Sequence, residues 1–525
     1  MNKSMVSFTA GLVTAGAVLS SAFAGESVQG NNRATPTATP IKHLVVIFEE
    51  NVSFDHYFAT YPQALNAASD PAGTPQWKAL PNTPTINGLG PAGGTTTLLS
   101  HNPNSAQAFR LSPADAVTCD NDNAYDAEQI AADKGLQDQY PQATSAQPTA
   151  TNTTTHLPCD ANLAMGYYDG NTVTAVWNYA QHYAMSDNFF GTEFGTTVMG
   201  HLNLLSGQTH VNVTGNPAND PKPVTGFVQN GSVIANVSSA LEDCPSKGEA
   251  TVTMTSRNVG DLLNAKNVTW GWFYGDFPTA ATTKGGPCPS AYNNHYDPFQ
   301  YYASTANPHH LPPSSIAAIG TSGDQANHQY GLGSLTAALN SGNLPSVVFI
   351  KAPSTQTGHP QKSDPLSEQE FLVWTINELQ ASPFWKNMAI FISYDDSDGW
   401  YDHVLAPVVN QSLDPAYDHQ CAGPIAATAY NDRCGYGPRL PLLVISPYAK
   451  RNYVDNTVTD QTSILRFIET NFGLDYIDGP TAPPAGQASF DRVAGSLGGL
   501  FDFVDAPNTK PLVLDPTSGV VVTSN

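Results

Sequence analysis

Four short apolar runs constrain this chain more than any other feature: HLVVIF at 43–48, SVVFI at 346–350, MAIFIS at 388–393 and LPLLVI at 440–445. None alternates with polar residues as a half-solvated strand would, so each predicts a strand buried on both faces of a parallel sheet. Helical periodicity falls between and after them, over 172–183, 258–265, 367–379 and 461–472. Strands alternating with helices predict a doubly wound, mainly parallel α/β sheet. Two stretches break the rhythm. Residues 62–160 and 207–330 are rich in Pro, Thr, Asn and Gly, and are expected as long insertions folded over the carboxyl edge of the sheet.

The chain ends fit an exported protein. Lys3, the apolar stretch 11–19 and Ala22-Phe23-Ala24 read as a signal peptide over 1–24, cleaved near Gly25, which implies the periplasm or the exterior. Residues 25–40 lack periodicity and read as a disordered or loosely attached lead-in to a main domain that begins at Ile41 and runs to about residue 503, with 504–525 as a Pro- and Val-rich tail. No later apolar run is long enough for stable membrane insertion. The formal charge of −23, or −24 once Lys3 is removed, repels nucleic acid and anionic membranes, so a phosphate-handling site needs local compensation. A divalent metal ion is the obvious means. Six cysteines without a C-x-x-C pair predict three disulfides, with nearest-neighbour pairing (119 with 159, 244 with 288, 421 with 434) preferred because each pair brackets a polar, loop-like stretch.

Ligands bind at the carboxyl ends of strands in open α/β sheets. Glu50 and Asn51 follow the first run, and Asp395 and Asp396, in YDDSDGWYDHV, follow the third. Neighbouring side chains on a strand point opposite ways, so two adjacent carboxylates share a site only where the strand has become a turn, as Ser397-Asp398-Gly399 suggests. Together they offer a hard oxygen site for one divalent cation, whose identity the residues leave open. Thr197, in FFGTEFGTTVMGHLNLL, is placed to begin a helix, where a hydroxyl meets the positive end of the helix dipole. His359, His295 and His201 lie in polar or Pro-marked segments where an imidazole can serve as acid or contact. On spacing alone each of these has an ordinary reading: solvated turn acids, a threonine N-cap, surface imidazoles.

These blocks together resemble a family. IKHLVVIFEENVSFDHYFATYP is similar to the opening signature of the bacterial phosphoesterases that include acid phosphatases and phospholipases C. The likeness continues through MSDNFFGTEFGTTVMGHLNLLSGQTH, HYDPFQYYASTANPHHLPP, KAPSTQTGHPQKSDPLSEQEF, YDDSDGWYDHV and SFDRVAGSLGGLFDF, spanning roughly 41–503. It implies an alkaline-phosphatase-like core, metal ligation by Glu50, Asn51, Asp395 and Asp396, and Thr197 as nucleophile of a phosphothreonine mechanism. It further implies that His359 and His295 line the phosphate site, one protonating the leaving group. Departures occur where relatives carry His: Asn123 in CDNDN and Tyr296 after His295 take those substrate-binding positions, and Val52 replaces an Arg. The DDSDGWYDHV form is more similar to the acid phosphatase branch, which implies a small phosphate-ester substrate. A phospholipase C, or a catalytically weak phosphoester-binding surface protein, is the alternative.

Overall fold

In the computed structural model the described residues are 36–522, apart from 66, 69, 92–93, 147–149, 216–225, 230, 410–415, 422–433 and 482–487. The expected signal peptide and most of the lead-in lie outside them. The described residues from Thr37 onward form one compact unit. The lead-in is attached at its end: Ala38 N–H donates to the Asn471 carbonyl, the Thr39 hydroxyl to Asn471 Oδ1, and Asn387 to the Pro40 carbonyl.

An eight-stranded sheet organises the molecule. Its strands are β1 (His43–Glu49), β2 (Ala184–Ser186), β3 (Trp270–Tyr274), β4 (Gln329–Gly331), β5 (Val347–Lys351), β6 (Met388–Tyr394), β7 (Leu442–Ile445) and β8 (Tyr453–Asp455), in the spatial order β4-β3-β5-β1-β6-β7-β2-β8. Central β1 sets Leu44 beside Val347 on one side and Ala389 on the other. Every residue of β3, β5 and β6 is buried, so both faces of the sheet are covered, as the unbroken apolar runs predict.

The helices used below are α1 (Tyr125–Ala132), α2 (Thr174–His182), α3 (Thr197–Ser206), α4 (Val259–Ala265), α5 (Leu332–Ser341), α6 (Pro365–Ala381) and α7 (Gln461–Phe472). Their starts follow local chemistry. Asp364 caps α6 by accepting from the Leu366 and Ser367 N–H groups, with Pro365 in the first turn, and Asp460 caps α7 through Thr462 N–H.

All four expected strands form, but β7 runs antiparallel to both neighbours, while every other pairing in the sheet is parallel. The connection over 395–441 contains no helix among the described residues, so the chain re-enters the sheet at the edge it left. The stretch 207–330 is not wholly an insertion, because it supplies β3, β4 and α4. In β3, WGWFY, aromatic bulk replaces the aliphatic run, and Gly271 makes room: a Cβ there would sit 2.9 Å from the rings of Phe273 and Tyr330. The three disulfides join Cys119 to Cys159, Cys244 to Cys288 and Cys421 to Cys434, as the spacing predicts. The tail is laid along α6, where Gln369, Asn377 and Gln380 donate to the carbonyls of Thr517, Leu514 and Leu512, and Trp385 just beyond the helix donates to that of Thr509.

Candidate active site

The carboxyl ends of β1 and β6 lie side by side, which brings Glu50-Asn51 against Asp395-Asp396. Two turns let neighbouring side chains share one site. Asn51 has φ 58° and Asp398 φ 54°, the left-handed region that Asn and Asp tolerate better than other side chains.

Each of the four expected ligands has one atom held by a partner and one oxygen left bare. Asp395 Oδ1 accepts the N–H groups of Asn51 (3.0 Å) and Asp396 (2.9 Å). Asp396 Oδ1 accepts Asn123 Nδ2 (3.0 Å) and Asp398 N–H (2.8 Å). Asn51 donates Nδ2 to Asp398 (2.8 Å), and Glu50 Oε1 pairs with Lys351. The remaining oxygens, Glu50 Oε2, Asn51 Oδ1, Asp395 Oδ2 and Asp396 Oδ2, are buried and receive no hydrogen bond. Buried polar atoms without partners are costly, and ligand atoms of Glu50, Asp395 and His201, whose Nε2 is also bare, lie within 4.8 Å of one another, a grouping that could hold a divalent cation. Burial, then the charge of Asp395, pushes Glu50 up to about 8 against the pull of Lys351, and burial likewise raises Asp395 and Asp396. A cation supplies the charge that desolvation removes.

Two other groups of metal-ligating side chains fail the same test. Asp55, Asp402 and His403 are tied to Arg439, with Asp55 Oδ1 3.0 Å and Asp402 Oδ2 3.1 Å from its guanidinium. In the group Glu242, Cys244 and His310, the sulfur of Cys244 is bound in a disulfide.

Thr197 is the first residue of α3, with Thr196 in extended conformation before it. The helix is pressed onto the metal turn. A Cβ on Gly200 would run into the Asp395 carbonyl, so only glycine permits this approach. His201, fully buried, donates Nδ1 to the Thr197 carbonyl at 2.8 Å and lies 3.9 Å from Asp395 Oδ2. Gln461 donates to the carbonyls of Tyr394 and Asp395 and accepts from Thr192 N–H, joining the strand end to the segment leading into α3.

The other expected residues surround this centre. His359 donates Nδ1 to the Pro360 carbonyl and faces Lys362 across 3.5 Å, and burial, then Lys362, lowers it to about 3. It is therefore a neutral imidazole near neutral pH. His295 Nε2 lies 2.9 Å from Glu249. Tyr296 stacks on His201 and carries the Lys351 ammonium over its face at 4.6 Å and that of Lys362 at 5.8 Å. Asn123 meets Asp396, and so fixes a ligand of the cation site. Lys351, Lys362 and Glu128 were not singled out from sequence. For Lys351 a signal existed: a charged residue closing an apolar run at the edge where ligands bind.

Residues 41–475 match the sequence profile of the Phosphoesterase family. The chain belongs to that family. It is 25% identical to the non-hemolytic phospholipase C of Pseudomonas aeruginosa over 97% of its own length and 64% of that enzyme's. It is 24% identical to phospholipase C A of Mycobacterium tuberculosis, over 92% of this chain and 81% of that one. The chain thus spans less than two thirds of the Pseudomonas enzyme. Among solved structures, a protein of the alkaline phosphatase superfamily from Vibrio parahaemolyticus aligns at 11% identity with a TM-score of 0.29, over 57% of this chain and 60% of that one.

Proposed function

We propose that this chain is an exported hydrolase of phosphate esters with Thr197 as nucleophile, and that small phosphomonoesters are its preferred substrates. The observation that carries this reading is the set of four bare oxygens on two adjoining turns, one of which, through the Asp395 backbone, is packed against Gly200 in the first turn of α3. A divalent cation bound by Glu50, Asn51, Asp395 and Asp396 would neutralise the nucleophile and the phosphoryl group. Thr197 Oγ1 attacks phosphorus as the ester P–O bond breaks, at the positive end of the α3 dipole. His201 fixes the backbone of that turn through the Thr197 carbonyl. The Thr197 hydroxyl gives up its proton on attack, the departing alkoxide takes one up by way of His359 or His295, and water then cleaves the phosphothreonine to release phosphate and restore the hydroxyl.

The monoester preference rests on charge. The Lys351 and Lys362 ammonium groups both lie over the ring of Tyr296, so this aromatic face beside the candidate cation site is already engaged by positive charge. Trp177 and Trp272 are fully buried and build no cage for a quaternary ammonium. A phosphomonoester brings an extra negative charge to these lysines, whereas a choline ester brings a positive one. The names of the relatives favour a second reading, phospholipase C. The test is kcat/KM for p-nitrophenyl phosphate and p-nitrophenylphosphorylcholine on metal-loaded protein. A higher value for the monoester is expected, and preference for the choline ester establishes the second reading.

A further inference from the structure

We propose that Glu128 is a positioning residue that ties the nucleophile turn to the metal turn, an inference that rests on the reading of Thr197 and the four oxygen ligands given above. Glu128 lies on α1, within the insertion closed by the Cys119–Cys159 disulfide, and is buried. Its two oxygens reach two different loops. Oε2 accepts the N–H of Gly195 at 2.9 Å, two residues before Thr197, and Oε1 accepts the hydroxyl of Ser397, the residue after Asp396. Ser397 Oγ in turn accepts Gly399 N–H at 3.1 Å, closing the acidic turn.

Among the described residues Glu128 forms no ion pair, so its burial is not explained by a cation. A buried carboxyl is an expensive way to fill space. Burial raises the Glu128 carboxyl to about 8, and above that pH it is a carboxylate with an acceptor on each oxygen, for an N–H on one side and an O–H on the other. Glutamine accepts on one atom only and places an NH2 group against the second loop. The distance between nucleophile and cation is thereby fixed by a third element as well as by the α3 contact at Gly200, and displacements near 1 Å at such a site cost large factors in rate.

The experiment compares wild type with Glu128→Gln, Ser397→Ala and the double variant. Glu128→Gln keeps the bulk of the side chain and is expected to fold, with a Tm close to wild type. Its kcat for p-nitrophenyl phosphate should fall by about tenfold to a hundredfold with KM changed less than threefold, because misplacement acts on the reacting atoms more than on ground-state binding. Ser397→Ala severs the same link from the other end, so the double variant should be no worse than the weaker single one. Unchanged kcat in Glu128→Gln, or losses that multiply in the double variant, overturns the proposal. Calorimetric titration with Mg²⁺, Mn²⁺, Ca²⁺ and Zn²⁺ separates this from the functional reading. Should wild type hydrolyse no phosphate ester, that reading fails on its own. Glu128→Gln must still bind the preferred ion about tenfold more weakly, since Asp396 adjoins the freed Ser397; equal affinity defeats the link.

Discussion

At the scale of single residues, the candidate site is a division of labour within each side chain. One atom of Asp395, Asp396, Asn51 and Glu50 is held by a partner, and a second, an oxygen, is buried without a hydrogen bond. Thr197→Ala should therefore lower kcat on the order of a thousandfold or more with metal content intact, while Thr197→Ser, which keeps the hydroxyl, should stay within about tenfold of wild type. Near-normal turnover of the alanine variant excludes Thr197 as nucleophile. Asp396→Asn keeps the shape of the ligand and deletes its charge, so affinity for the divalent ion should drop by about tenfold to a hundredfold, read by calorimetry. The turns that carry these four residues were legible in the sequence because each begins soon after an apolar run ends, at Phe48 and at Ser393, while their reading as a ligand set came from the family resemblance. Glu128 was not, because its partners stand 67 and 269 positions away and nothing local marks a buried clasp.

At the scale of elements, the contact between α3 and the end of β6 sets the geometry that chemistry needs. Gly200→Ala should force the helix off the Asp395 backbone. The expected outcome is a loss of about 1–3 kcal/mol of stability in denaturant unfolding together with a marked fall in kcat, as overpacking at a backbone contact predicts. Normal activity in a stable alanine variant counts against the close approach. The aliphatic strands were readable because their burial on both faces leaves runs made mostly of Val, Ile, Leu and Phe. The aromatic β3 was hidden by its glycine and its two tryptophans, which read as loop in a Gly- and Asn-rich neighbourhood. The reversal of β7 was unreadable for another reason: direction depends on the edge at which a long connection returns, and LPLLVI is buried alike in either sense.

At the scale of the whole molecule, buried imidazoles make stability depend on pH. His56 donates Nδ1 to the Gly166 carbonyl, stacks on Trp400 at 3.7 Å, and is lowered by burial from 6.5 to about 3. Between those values the unfolded chain binds a proton that the folded chain refuses. Its contribution is therefore present above pH 6.5 and is lost as pH falls toward 3, at about 1.4 kcal/mol per pH unit. His56→Gln should flatten the dependence of unfolding free energy on pH by about that amount between pH 6 and 4; an unchanged slope shows that His56 is not the group responsible. A different consequence follows from the tail. Its residues 510–513 and 521–522, with Arg451 and the segment 181–183 that precedes β2, border a cavity of about 530 Å³ at the amino edge of the sheet, opposite the reacting loops. A linker fused beyond residue 522 would thus tether the protein to a bead or an electrode from the amino edge of the sheet, the edge opposite the turns that carry Glu50 and Asp395.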